Sequence, residues 1–154
     1  GGIRVPFMLR WPGRLSAGQV YDQPVICLDI FATAVAAADA KLPEDLKPDG
    51  VNLIPYLAGE RKTPPHPVLF WDYAENRYAV RKANFKLVKM REDISLFDLS
   101  SDVGEARDLK EAKPNIFKEL QEDYKQWRSQ MPEPLRLPKK DKPKEKQKKQ
   151  KQKI

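Results

Sequence analysis

Few side chains in this sequence are placed to do chemistry. His66 is the only histidine and Cys27 the only cysteine. A reactive thiol needs a base or a positive charge beside it. Cys27 instead sits in the apolar run Val25-Ile26-Cys27-Leu28, which predicts a buried, inert thiol. His66 lies between Pro65 and Pro67 and reads as an exposed imidazole in a Pro-rich linker, with a substrate contact at the rim of an active site as its functional alternative. No cluster of ligands at a usual metal spacing accompanies it. Asp72, Asp98 and Asp102 are single acids beside turn signals, where capping outweighs catalysis. Ser100-Ser101-Asp102 has no base in a matched motif, so a turn is its better reading. The glycines form neither a phosphate-cradling loop nor a dinucleotide fingerprint. The residues by themselves therefore point to no catalytic machinery.

The elements that would position such groups fall into three parts and a tail. Ile3, Val5, Phe7, Leu9 and Trp11 alternate with Arg4, Pro6, Met8 and Arg10, which predicts a strand ending at the Pro12-Gly13 turn. A strand this apolar needs a partner for its backbone groups. The run Asp29–Ala38 predicts a helix capped by Asp29, with Ile30, Phe31, Ala34, Val35 and Ala38 on the buried face. A turn at Asp49-Gly50 and a short helical piece stopped by Gly59 follow. One strand and these helices cannot close a core, so residues 1–59 are expected to lean on something absent, as an incomplete end of a larger domain. Residues 60–67, with three prolines, read as a linker.

Beyond the linker the pattern changes. Val68–Tyr73, Arg77–Arg81, Phe85–Met90 and Ser95–Leu99 predict an antiparallel meander of four strands. Pro114 predicts a helix start, and Phe117, Leu120, Tyr124, Trp127 and Met131 form one apolar stripe to lie across the sheet. Residues 68–131 thus form a small sheet-plus-helix domain.

The formal net charge of +7 is local. Residues 139–154 hold nine Lys against Asp141 and Glu145, which leaves 20 basic and 20 acidic residues in the rest of the chain. A body without net charge gives no general reason to expect nucleic acid. Residues 132–154 have almost nothing to bury and are expected to be disordered. Such a tail solubilises, or grips an anionic polymer; the alternative function is a non-catalytic module whose Lys-rich tail binds anionic polysaccharide or nucleic acid. No apolar run reaches transmembrane length, and the lone Cys does not fix a compartment.

Six motifs in order carry a resemblance over residues 1–131. Gly1-Gly2-Ile3-Arg4-Val5-Pro6 with Arg10-Trp11-Pro12-Gly13 resembles a Glu-Gly-Gly-x-Arg-x-Pro segment and its following Trp-Pro-Gly. Asp29-Ile30-Phe31-Ala32-Thr33 resembles an Asp-Leu-x-Pro-Thr helix start, with Ala32 in place of Pro, and Asp49-Gly50-Val51-Asn52-Leu53 resembles Asp-Gly-x-Ser-Leu. Phe70–Tyr73, then Ala79–Arg81 with Phe85–Val88, resemble small-sheet strands, and Leu96–Glu105 resembles Leu-Tyr-Asp-Leu-x-x-Asp-Pro-x-Glu with Val103 in place of Pro. Together they are similar to the C-terminal third of a type I sulfatase of the alkaline-phosphatase superfamily.

The resemblance implies an α/β protein: the end of a large α/β domain, then a small four-stranded antiparallel sheet with a C-terminal helix. It implies a fragment cut just after the Glu of the first motif. The function implied is sulfate-ester hydrolysis, with a formylglycine made from Cys in Cys-x-Pro-x-Arg and a supporting Ca²⁺. Cys27 does not match that motif, being followed by Leu28-Asp29-Ile30. This chain is therefore expected to hold no cofactor and to be inactive alone. By the same resemblance Gly1, Gly2 and Arg4 border the active site, and His66, Trp71 and Arg77 are candidates for substrate contact. The implied partners are a sulfate-ester substrate, including sulfated polysaccharide, and a missing N-terminal part of the same protein. The implied location is periplasmic or secreted.

Overall fold

The computed structural model describes residues 3–73 and 76–132. Gly1, Gly2 and the Lys-rich tail expected to be disordered lie outside the described residues. The elements in chain order are α1 (Asp29–Ala37), α2 (Ile54–Leu57), β1 (Val68–Tyr73), β2 (Arg77–Lys82), β3 (Phe85–Met90), β4 (Asp93–Asp98) and α3 (Pro114–Ser129).

The four strands form one antiparallel sheet in sequence order. The register pairs Phe70 with Val80, Val80 with Leu87, and Leu87 with Leu96, which aligns one apolar row across the sheet. Period-two alternation puts that row on a single face. There Leu120 of α3 closes a core with Val80, Leu87 and Leu96, all at most 1 % exposed, and Phe70, Tyr78, Phe117 and Tyr124 pack around them. Stacked rings reinforce the seam, Phe70 on Trp127 at 4.9 Å and Tyr78 on Tyr124 at 3.6 Å between centroids. Pro114 occupies the first helical turn, where its missing N–H would have had no partner. The helix ends at Ser129, so Met131 at the end of the predicted stripe is outside it and exposed.

β4 starts earlier than the composition suggested. A two-residue hairpin at Arg91-Glu92, with Arg91 at φ 60°, extends the ladder back to the Met90–Asp93 pair. The sequence showed no Gly there to mark so tight a turn.

Four expectations for the N-terminal part need correction. Residues 3–11 form no strand: among the described residues none pairs with them, and Ile3, Val5, Phe7 and Leu9 remain exposed. α1 buries the opposite face from the one expected, with Asp29, Ala32 and Thr33 inside and Ile30 and Phe31 exposed. Leu28, not Asp29, is its N-cap residue, and no side chain caps it. Polar ties select that face, as the next section describes. Cys27, expected inside, is exposed. Among the described residues no helix is long and apolar enough to cross a membrane.

Candidate functional site

A buried polar node joins α1 to the two segments that follow it. Asp29 and Thr33 are four residues apart, so they share one helical face. Asp29 has no exposed surface. Its carboxylate accepts the backbone N–H groups of Ile26 and Val51, both at 2.8 Å. His66 Nε2 stands 2.8 and 3.0 Å from its two oxygens. Thr33 Oγ1 accepts the N–H of Leu53 at 3.0 Å and reaches the Val51 carbonyl at 3.5 Å. Between them, Gly50 passes so close to Leu28 that a Cβ there would overlap its carbonyl.

His66 therefore departs from the linker reading. Only 9 % of its side chain is exposed, because the Pro-rich segment folds its imidazole inward to satisfy a buried carboxylate that would otherwise lack a partner for its charge. With Nε2 donating to Asp29, the ring is held in one orientation and Nδ1 is left to accept a proton donor. Among the described residues no Ser, Thr or Cys hydrogen-bonds His66, so the pair orients a group rather than activates a nucleophile.

Trp71 and Arg77 are brought to the sheet face opposite α3. In register Trp71 lies beside Ala79 and Tyr73 beside Arg77, with the Arg77 guanidinium 5.5 Å from the Tyr73 ring centroid. Arg81 lies further along the same face of β2. Burial, and then the charge of Arg4, hold the Arg81 guanidinium below its usual pKa. Lys86 on this face is buried and pairs with Glu105. The structure thus places Trp71 and Arg77 on one sheet face and turns His66 toward α1. Sequence reasoning missed Arg81 and Lys86, although their place one residue from the core-facing Val80 and Leu87 was available as a signal.

The remaining acids have structural roles. Asp98 accepts the Ser100 N–H at 3.0 Å and its hydroxyl at 2.6 Å. Asp102 accepts the N–H groups of Ala106 and Arg107 at 2.9 and 2.8 Å. These bonds hold both carboxyls below the usual range and shape the turn leading to Glu105. They border a shallow recess of about 350 Å³ that Arg107 and Lys113 also line. Asp72 pairs with Arg128 of α3 at 3.1 Å. Burial, then Asp72, push the Tyr124 hydroxyl up to about 12.

A formylglycine precursor and a Ca²⁺ site do not fit the described residues. Cys27 lacks the Pro and Arg of the motif, and among the described residues no group of three His, Cys, Asp or Glu side chains could hold a metal ion.

Comparison with known proteins gives a consistent family. The family model described as N-sulphoglucosamine sulphohydrolase, C-terminal, matches residues 1–131. An uncharacterised sulfatase of Escherichia coli K12, YdeN, is 29 % identical over 160 residues, covering 79 % of this chain and 28 % of the relative. Human steryl-sulfatase is 49 % identical over 70 residues, covering 46 % of this chain and 12 % of the relative. A solved protein in complex with its substrate D-glucosamine-2-N,6-O-disulfate aligns with a TM-score of 0.63 at 24 % identity, covering 80 % of this chain and 28 % of the other. The chain spans between 12 % and 28 % of the length of these relatives.

Proposed function

This chain belongs to the family of N-sulphoglucosamine sulphohydrolase C-terminal regions, and on that premise we propose that it is the C-terminal part of a sulfatase that hydrolyses sulfate esters. The observation that carries the reading is the family match across residues 1–131, over which six motifs fall in order. The nucleophile, the metal ligands and the groups that protonate the leaving oxygen come from the catalytic region of the complete protein. In such an enzyme, a formylglycine and a Ca²⁺ held by the catalytic region, not by the described residues of this chain, would supply the nucleophile and offset charge on the sulfate.

The part played by this chain follows from its own residues. The node of Asp29, Thr33 and His66 ties α1 to residues 50–53 and to the entry of β1, so these segments move as one body. The sheet with α3 is a self-contained layer whose opposite face carries Trp71, Arg77 and Arg81. Arg4 borders the active site, and Trp71 and Arg77 contact substrate from the open sheet face, while His66 is held on Asp29 and serves as a positioning residue. Sulfated sugars fit this cation-bearing, Trp-bearing face, and the substrate of the aligned disulfated-glucosamine complex belongs to that class. The location that goes with this reading is the periplasm or the cell exterior.

The experiment is to assay sulfate release from an aryl sulfate by the complete protein and by the 154-residue chain, each with Ca²⁺. The complete protein turns over and the chain does not exceed a heat-killed control. Turnover by the chain that survives repurification contradicts the assignment of chemistry to the other region, and inactivity of both on aryl and sugar sulfates contradicts the function.

A further inference from the structure

α1 carries its polar residues inward and its apolar residues outward. Asp29 and Thr33 are buried, whereas Ile30 and Phe31 are 51 % and 52 % exposed and Ala34 beside them is exposed too. Positions 30, 31 and 34 lie three and four residues apart, so they share one helical face. Rotating the helix to bury Phe31 would draw Asp29 away from Ile26, Val51 and His66 and Thr33 away from Leu53. The polar node therefore fixes the apolar face outward before anything covers it.

That face is part of an uneven distribution. Ten of the fourteen large apolar side chains exposed among the described residues precede residue 47, Ile3, Val5, Phe7 and Leu28 included. The sheet and α3, with a core of their own, are not the source of this imbalance. Exposed apolar area so concentrated marks a contact surface. The chemistry of α1 narrows the occupant. A helix that lies on an anionic lipid surface presents Lys and Arg on its polar face, and α1 holds neither, while its polar face is occupied by the node. An uncharged, apolar protein surface fits. The matched parts are 28 % and 12 % of the two relatives, so a complete protein has ample chain to supply one.

Resting on the sulfatase assignment above, we propose that α1 seats this chain on an apolar surface of the catalytic region, with Ile30, Phe31 and Ala34 in the contact, and that His66 is a positioning residue for that contact. His66 belongs to the segment entering β1, so its bond to Asp29 links the docked helix to the sheet. A face held in place beforehand loses less conformational freedom on docking.

The test compares thermal unfolding in two contexts. In the 154-residue chain Phe31→Gln and Ile30→Gln leave Tm unchanged, since both side chains are exposed. In the complete protein each lowers Tm by at least about 3 °C, and Phe31→Leu, which keeps the site apolar and the fold intact, lowers it less. Val103→Gln, at a residue 58 % exposed in the other part of the chain, changes neither Tm. His66→Ala with Phe31→Gln falls short of the sum in the complete protein, because freeing α1 already weakens the contact. His66→Gln, which still offers Asp29 an N–H, loses less than His66→Ala. These readings need no turnover, and sulfate release by the wild-type complete protein reads the sulfatase assignment separately. An unchanged Tm for Phe31→Gln and Ile30→Gln in the complete protein overturns the docking helix, and additive losses overturn the role of His66. Dimers or vesicle binding of the complete protein that Phe31→Gln abolishes also overturn it, by assigning the face to a second copy or to lipid.

Discussion

Replacing Asp29 by Ala is the sharpest perturbation of the polar node. The carboxylate has no exposed surface and satisfies three donors, the N–H groups of Ile26 and Val51 and the imidazole of His66. A hydrogen bond to a charged group contributes about 1.5–3 kcal/mol, but bonds that share one acceptor do not add. Leaving a buried donor without its acceptor costs about 1–3 kcal/mol, since the stranded group keeps its desolvation penalty. Asp29→Ala strands all three donors, so a loss of about 3–5 kcal/mol is expected. His66→Ala leaves the two backbone donors in place and costs less, about 1–3 kcal/mol. The damage is local: α1 and residues 50–66 loosen while the sheet and α3, with their own core, stay folded. Urea unfolding gives the total, and native-state amide exchange gives its distribution. Val51 and Leu53 amides lose protection in Asp29→Ala, and Leu87 and Leu96 amides do not. A loss under about 1 kcal/mol with Val51 protection intact refutes the node as the tie between these segments.

Three further outcomes are expected. Trp127→Ala removes the ring stacked on Phe70; because Trp127 is only half-buried, the cost in urea unfolding is about 2–3 kcal/mol, at or below the lower end for large aromatic truncations, and a value near zero contradicts the seam. Burial raises the Asp108 carboxyl, but the N–H groups of Leu96 and Lys110, Ser95 and the Lys110 side chain outweigh it and hold the pKa at about 2 against 3.8. With the folded value depressed, its stabilisation, on the order of 1 kcal/mol after solvent screening, is complete above pH 4 and is lost as pH falls toward 2. Asp108→Asn flattens that part of the urea-midpoint profile, and an unchanged slope contradicts it. Gly50→Ala drives a Cβ into the Leu28 carbonyl and costs about 2–3 kcal/mol in the same assay; a neutral result means the 28–50 contact is looser than the structure has it.

The small sheet was legible because its physics is local. Alternation along Val68–Met90 and the stripe through Phe117, Leu120 and Tyr124 each follow one periodicity, and their partners lie within the chain. The N-terminal part was not legible for the opposite reason. Hydrophobicity placed Ile30 and Phe31 inside α1, but Asp29 and Thr33 turned the helix, since a buried carboxylate must find donors before apolar area counts. Those donors come from Val51, Leu53 and His66, 18 to 37 residues away, where no local pattern announces them. The same distance hid His66, which composition alone assigned to an exposed linker. Alternation over residues 3–11 correctly marked apolar character, yet a strand exists only where a neighbour accepts its hydrogen bonds.

The account holds that the exposed apolar residues 3–11 belong against the catalytic region of a complete sulfatase. Amide hydrogen exchange of residues 3–11, compared between the isolated chain and the complete protein, tests this most directly. The account predicts fast exchange at Arg4, Val5, Phe7 and Leu9 in the isolated chain and strong protection in the complete protein, with Leu87 and Leu96 amides protected in both. Equally fast exchange of residues 3–11 in the two contexts contradicts it.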